Sequence, residues 1–185
     1  MILGNFSDCE DLHQFYQDIR MLHEKEHGRE YAKNHDLINE VVQGKIYKEL
    51  GVMQGASLAG AILSGAKEAI AIDIDLSRIL PYKRVFEKYS HEHLVKIYFI
   101  ENDSTDINLS GGFCDVLHID SKHTKNHCLK ELAVHAPLVS EYIIFHDTNV
   151  KGINDAVLEF LDKEAWVLDV HIKENVGAMR IKRKC

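Results

Sequence analysis

The stretch that most constrains this chain runs from Lys45 to Asp75, KIYKELGVMQGASLAGAILSGAKEAIAIDID. A short apolar run over 46–50, with Glu49 near its end, breaks at Gly51, and Gly55 and Ser57 follow. Leu58, Ala59, Ala61, Ile62 and Leu63 then recur on a helical period as far as Gly65, where a residue free to take positive φ ends a helix easily. A second apolar run over 69–72 closes in Asp73. Strand, tight turn, helix and strand make a βαβ unit, whose right-handed crossover sets both strands parallel in one sheet.

Such sheets bind ligands beyond the carboxyl ends of their strands, so the Gly51 turn and Asp73 are expected to face one crevice. The glycines let a ligand approach the backbone, the helix start offers unpaired N–H groups, and Asp73 can accept both hydroxyls of a ribose. A nucleoside is the expected guest. A dinucleotide site would want G-x-G-x-x-G, so that a pyrophosphate can sit on the helix amino terminus. Here the pattern is Glu49-x-Gly51-x-x-x-Gly55-x-Ser57, with an acid inside the strand end. A carboxylate there repels a pyrophosphate and suits an ammonium. These residues resemble the first motif of the class I S-adenosylmethionine-dependent methyltransferases, an acidic residue followed by G-x-x-x-G. The plainer reading is a glycine turn that only starts a helix.

Ahead of this unit, Leu12, Phe15, Tyr16, Ile19 and Leu22 predict an amphipathic helix over 7–23, with Ser7 and Glu10 in the order of a capping box. A second helix is expected over 31–43, ended by Gly44. These helices either pack on the core or lie over the crevice, and packing is the favoured role. After the unit, Pro81 opens a helix through Tyr89, and the β-branched and aromatic run at 95–100 is a third strand. A loop with Gly111 and Gly112 leads to a fourth strand over 115–120, a helix over 124–135, a fifth strand over 142–145 and a helix over 153–161. The last two strands, 166–172 and 177–183, are separated only by residues 173–176. That is too short for a parallel crossover, so they must form an antiparallel hairpin. The expected fold is α/β: a Rossmann-like three-layer sandwich with a seven-stranded, mostly parallel sheet. One domain is expected, with 1–44 as a helical extension and 45–185 as the core.

Five successive strands each deliver an acid to the same rim: Glu49, Asp73, Asp103 beside Ser104, Asp120, and Asp147 beside His146. The runs FCDVLHIDSKHTKNHCLKEL and YIIFHDTN resemble the methyltransferase branch that includes macrocin O-methyltransferase and the proteins named cephalosporin hydroxylases. The resemblance covers about residues 45–182. It implies that Gly51 and Gly55 line the methionine end of S-adenosylmethionine, with Glu49 contacting it directly or through water, and that Ser57 is a further cofactor-binding residue. It also implies that Asp73 takes the ribose, that Asp103 and Ser104 lie beside the adenine, and that Asp120 borders the cofactor. It further implies a divalent metal, usually Mg2+, held by Asp120, His146 and Asp147. Hard oxygens suit Mg2+, whereas an imidazole suits zinc, iron or manganese better, so His146 is open as ligand, base or neighbour. His123 matches the family's histidine after the strand-four aspartate and is, with His146 and Asp120, a catalytic candidate. His127, four residues on, is a weaker one. Where the family commonly has Gly-Asp between that aspartate and histidine, this chain has Ser121-Lys122, replacing an acid by a cation beside the metal set.

The expected reaction is O-methylation of a hydroxyl on a sugar or similar small molecule. The alternatives are a nicotinamide- or nucleotide-dependent enzyme on a related sheet and a non-catalytic cofactor-binding domain. A formal net charge of −7 argues against a nucleic-acid partner. No apolar run approaches the ~18 residues of a membrane span, and Cys9, Cys114, Cys128 and Cys185 show no C-x-x-C spacing and no secretory leader ahead of them. Free thiols and the cytoplasm are therefore expected. Of twelve histidines, His91 and His93 in a polar turn are read as surface groups. Acceptor selectivity is expected from the N-terminal helices, the loop at 110–112 and the segment after Asn149. A homodimer completing the acceptor pocket is a reasonable assembly.

Overall fold

The computed structural model describes residues 5–108, 112–163 and 165–184. Two helices come first, α1 (Leu12–His27) and α2 (Arg29–Asn39), followed by β1 (Ile46–Leu50), α3 (Ala56–Leu63) and β2 (Glu68–Asp73). Then come α4 (Lys83–His93), β3 (Lys96–Glu101), β4 (Cys114–Ile119), α5 (Lys125–His135), β5 (Val139–His146), α6 (Lys151–Lys163), β6 (Trp166–Ile172) and β7 (Ala178–Arg183). The strands form one seven-stranded sheet in the order β3-β2-β1-β4-β5-β7-β6. Pairing is parallel from β3 through β5, and β7 runs antiparallel between β5 and β6. The short 173–176 connection thus produces the hairpin it requires.

Side-chain alternation along each strand divides the interior. Ala69 and Ala71 of β2, Val116 of β4 and Ile144 of β5 face α1 to α4, in a core with Leu12, Phe15, Ile19, Ile38, Leu58, Ile62 and Phe86. Ile70, Ile72, Leu117, Ile143 and Phe145 face the other way, against Cys128 and Leu132 of α5 and Ile153, Ala156 and Val157 of α6. The result is the three-layer sandwich.

Element ends differ from the sequence expectation in several places. Helix α1 starts at Leu12 because Asp11, not the Ser7–Glu10 pair, caps it: the Asp11 carboxylate accepts the Gln14 N–H at 2.9 Å. Helix α2 ends at Asn39, before buried Val42 and before Gly44, whose φ of +72° turns the chain into β1. His91 and His93 lie in the last turn of α4, which closes at Leu94 in the left-handed region. Cys9, Cys114 and Cys128 are free and buried, while Cys185 and residues 109–111, which include Gly111 and most of the expected 110–112 loop, lie outside the described residues.

Helix α1 is part of the main core. Phe15 is fully buried, with ring centroids 5.2 Å from Tyr82, 5.5 Å from Phe86 and 5.7 Å from Phe6. Phe15→Ala should therefore cost about 3–5 kcal/mol, the range for emptying a buried aromatic site. Urea unfolding would measure it, and a loss below about 1 kcal/mol would show that α1 contributes little to the core.

Candidate active site

The strand order reverses between β1 and β4, and a cavity of about 650 Å³ opens there beyond the carboxyl ends of the strands. Its walls come from the β1–α3 turn, the ends of β2, β4 and β5, and the N-terminal helices.

The turn takes positive φ at three of its five residues: Gly51 at +84°, Met53 at +50° and Gly55 at +87°. Gly51 is dictated by packing as well, since a Cβ there would lie 2.4 Å from the Asp120 carbonyl oxygen. Gly55 caps α3, where a Cβ would meet Ile79 at 2.6 Å, and it does not line the cavity. Its glycine therefore serves the turn and the Ile79 contact. The N–H groups of Val52 and Met53 donate to Asp73 Oδ2 at 2.7 and 3.2 Å. Asp73 Oδ1 accepts the Asp75 N–H at 3.1 Å. Donors that a pyrophosphate would need are thus taken by a carboxylate, which tells against the nicotinamide alternative. A carboxylate offers about four lone-pair sites, so Asp73, which lines the cavity, keeps about one for a donor on a ligand. Asp75, also in the wall, is the next acceptor.

Glu49 is not in the cavity wall. Alternation along β1 turns it, with Tyr47, onto the face covered by α1 to α3, where it is fully buried. Ser57 Oγ donates to Glu49 Oε1, and His118 Nδ1 lies 3.3 Å from the same oxygen and 3.1 Å from Tyr47 Oη. The acid expected to touch the methionine end is committed to a buried network beneath it. Ser57 bridges the two, lining the cavity while holding Glu49.

On the other side, Asp103 and Ser104 follow β3 and line the cavity. Asp103 is held by the Thr105 N–H and hydroxyl, both at 2.8 Å, and these bonds keep its carboxyl below the usual range. Ser104 Oγ and Ser121 Oγ each donate to Glu131 Oε1 at 2.5 Å, with His127 Nε2 3.4 Å away. Burial pushes the Glu131 carboxyl up. Ser121, which stands where the family commonly has glycine, is thereby tied into this buried group, and His127 belongs to it too.

The acids of β4 and β5 meet two imidazoles. His123 Nε2 lies 3.3 Å from Asp120 Oδ1 and 3.0 Å from Asp147 Oδ2. His146 Nδ1 lies 3.3 Å from Asp120 Oδ1 and 3.4 Å from Asp147 Oδ2. Asp120 and Asp147 push the His123 imidazole up to about 10. For His146, burial opposes charge, but the same two carboxylates outweigh it and carry the ring to about 10. In return, Asp120 is held well below the carboxylate range and Asp147 falls to about 2, despite burial that alone would raise both. One donor atom from each of Asp120, His146 and Asp147 lies within 4.8 Å of the other two. His146 Nδ1 is buried without a hydrogen-bond partner. Asp147 is held at φ +54°, an uncommon conformation for a residue with a side chain, and it turns the carboxylate toward this cluster.

A family model described as rhamnosyl O-methyltransferase/CmcI matches residues 32–167, well over half of the chain. The chain belongs to that family. It therefore belongs to the class I S-adenosylmethionine-dependent methyltransferases. Solved structures agree on the fold. A Staphylococcus aureus protein titled as a caffeoyl-CoA O-methyltransferase superposes with a TM-score of 0.64 at 12% identity, covering 91% of this chain and 99% of its own. A Streptococcus mutans protein titled as a methyltransferase, solved in complex with SAH, gives 0.62 at 13% identity, covering 84% and 98%. The ribosomal protein L11 methylase of Lactobacillus delbrueckii subsp. bulgaricus gives 0.61 at 16%, covering 83% and 78%. No curated protein sequence matches. Among the described residues, no helix is long and apolar enough to cross a membrane.

In this family member the N-terminal helices both pack on the core and wall the site. Ile19 and His23 of α1 and Tyr31 and His35 of α2 line the cavity, and Asn34 of α2 reaches His146. Helical periodicity alone marked none of these as site residues. Val52, Met53, Gln54, Ile74 and Arg78 also line the wall without having been singled out.

His35 has a measurable consequence. Burial, reinforced by His146 and His23, drives its imidazole down to about 3, so it is neutral when folded and takes a proton near 6.5 when unfolded. The unfolded state then binds more protons between about pH 6.5 and 3, and this contribution to stability, full above 6.5, is lost as pH falls through that window. The loss approaches about 1.4 kcal/mol per pH unit. His35→Leu should flatten the stability-against-pH slope by one proton in urea unfolding across pH 4–7. An unchanged slope would show that His35 is protonated in the folded protein.

Proposed function

We propose that this protein transfers a methyl group from S-adenosylmethionine to a hydroxyl of a sugar-like small molecule, with a divalent cation held by Asp120, His146 and Asp147. The observation that carries the reading is that these three donors, one of them a buried nitrogen without a hydrogen-bond partner, converge in the same cavity as the Gly51 turn and Asp73. The family's description as rhamnosyl O-methyltransferase supports the oxygen acceptor and the sugar.

When bound, the cofactor supplies an electrophilic methyl and the cation lowers the pKa of the acceptor hydroxyl. The chain's own task is placement, which accounts for most of the rate in such a transfer. The Gly51 turn gives the cofactor backbone to lie against, Asp73 takes one ribose hydroxyl, and Asp103 and Ser104 flank the adenine. Asp120 and Asp147 orient the acceptor end. His123, with its side chain 40% exposed at the rim, is the group placed to take the acceptor's proton. It serves as a base only in its neutral form, so this role requires Asp120 and Asp147 to be engaged elsewhere than on its Nε2.

Two measurements test the reading. Asp73→Ala should weaken S-adenosylhomocysteine binding about tenfold or more in titration calorimetry, the loss of a charge-assisted hydrogen bond together with a loosened turn. Unchanged affinity would remove the ribose contact. Separately, protein treated with EDTA should lose most of its methyl transfer to a hydroxyl acceptor and regain it on adding a divalent cation, whereas transfer at full rate after EDTA would overturn the metal half.

A further inference from the structure

The donor set differs from an all-oxygen magnesium site by one atom, and that atom is supported from outside the rim. His146 is 7% exposed, with its two nitrogens in different settings. Nδ1 is nearly equidistant from Asp120 Oδ1 and Asp147 Oδ2, at 3.3 and 3.4 Å, yet makes a directed hydrogen bond to neither. The two carboxylates favour a proton on Nδ1, and a cation shared by all three groups would take the Nδ1 lone pair in that proton's place. Nε2 faces the opposite way and lies 3.3 Å from Nδ2 of Asn34, which is itself 3% exposed, while the amide oxygen Oδ1 is buried without a hydrogen-bond partner.

Which end of that amide faces the ring is a matter of assignment, because its oxygen and nitrogen are nearly isosteric. The end decides the tautomer. An amide oxygen toward Nε2 requires a proton on Nε2, and in a neutral ring this leaves Nδ1 bare. Metal-bound histidines characteristically donate their other N–H to such an acceptor, which fixes both ring orientation and tautomer. Asn34 is the described residue in hydrogen-bonding position on Nε2, and α2 delivers it across 112 residues of sequence.

We propose that His146 ligates the cation through Nδ1, that Asn34 is the positioning residue holding Nε2–H, and that the site consequently discriminates toward Mn2+ and its first-row neighbours over Mg2+. This rests on the reading of Asp120, His146 and Asp147 as a divalent-metal site. The chemical ground is that imidazole suits first-row transition ions, while Mg2+ favours oxygen and gives up its water reluctantly.

The test uses the full chain stripped of metal, titrated with MnCl2 and with MgCl2 by calorimetry, in the wild type, His146→Glu, Asn34→Leu, Asn34→Asp and the double variant Asn34→Leu/His146→Glu. Because Mn2+ often binds more tightly than Mg2+ at oxygen sites too, the decisive quantity is the ratio of the two affinities. It should be at least tenfold larger in the wild type than in His146→Glu. Pulsed electron paramagnetic resonance of the Mn2+ complex should show coupling to a directly bound nitrogen that disappears in His146→Glu. Asn34→Leu should weaken Mn2+ binding about 10- to 100-fold, the usual effect of removing such a partner. Asn34→Asp, which keeps an acceptor on Nε2–H, should retain it. In the His146→Glu background, Asn34→Leu should leave metal affinity unchanged, which a merely structural role for Asn34 would not produce. If Asn34→Leu fails to fold, Asn34→Asp and the ratio in His146→Glu still decide the matter. Binding with an unaltered ratio and no nitrogen coupling overturns this inference while leaving a metal site standing. No binding of either ion overturns both, and S-adenosylhomocysteine titration of the same samples reports on the cofactor site independently.

Discussion

The turn at Gly51 is the constraint from which the site follows. Its N–H donates to the Ile72 carbonyl at 2.9 Å, the Asp120 N–H donates to the Leu50 carbonyl at 2.8 Å, and the next N–H, of Val52, reaches Asp73 Oδ2 at 2.7 Å. The ends of β2, β1 and β4 are thereby stitched together within one residue of Gly51. The side without a Cβ is pressed against the Asp120 carbonyl, so the turn cannot move toward β4, and the Asp73 bonds keep it from moving away. One locked turn sets the separation of Asp73 from Asp120, which on the proposed reading are the ribose carboxylate and a carboxylate at the reacting end.

A second consequence of the pleat lies under the turn. Tyr47 and Glu49 on β1, His118 on β4 and His146 on β5 all project to the face covered by α1 to α3, forming a polar seam through an otherwise apolar layer. Burying a carboxyl group such as that of Glu49 is costly unless it is hydrogen-bonded. Ser57 and His118 supply partners to its Oε1, Tyr47 Oη bonds His118 in turn, and the His118 and His146 rings meet edge to face with centroids 6.5 Å apart. The floor of the cavity is therefore a hydrogen-bonded layer whose partners constrain one another's rotamers, and Ser57 links that layer to the cavity wall.

Those features explain what was legible in the chain and what was not. The βαβ unit, the strand count and the terminal hairpin rest on local patterns: apolar period, glycine turns and loop length. The rim residues Asp73, Asp103, Asp120 and Asp147 are legible because a polar residue at the end of an apolar strand has few places to go. Glu49 has the same signature but the opposite fate, because it lies one residue inside the strand and alternation, not proximity to the rim, decides its direction. Its partners His118 and Ser57 belong to β4 and α3, so nothing adjacent to Glu49 announces them. Gly55 likewise answers to Ile79, a residue well outside the motif. The Ser7–Glu10 pair had the right residue types for a cap, and Asp11, directly before the apolar stripe, displaced it.

The contribution of the N-terminal helices is the part no local pattern reports, and it has the largest functional bearing. The stripe of Leu12, Phe15 and Ile19 identifies a buried face on α1, but only docking shows that one further turn along the same helix carries His23 into the cavity wall. Helix α1 lies ahead of the region the family model matches, while α2 enters it only at residue 32. On the proposed reading, the cofactor end of the cavity is thus built from the sheet and its turns. The opposite end, with Ile19, His23, Tyr31 and His35, comes from helices that are anchored through the main core. On the proposed reading, the same packing that buries Phe15 also fixes the acceptor wall and carries Asn34 to His146. Loosening α1 and α2 would then disturb acceptor selection and metal preference together, while leaving the Gly51 turn and its grip on the cofactor in place.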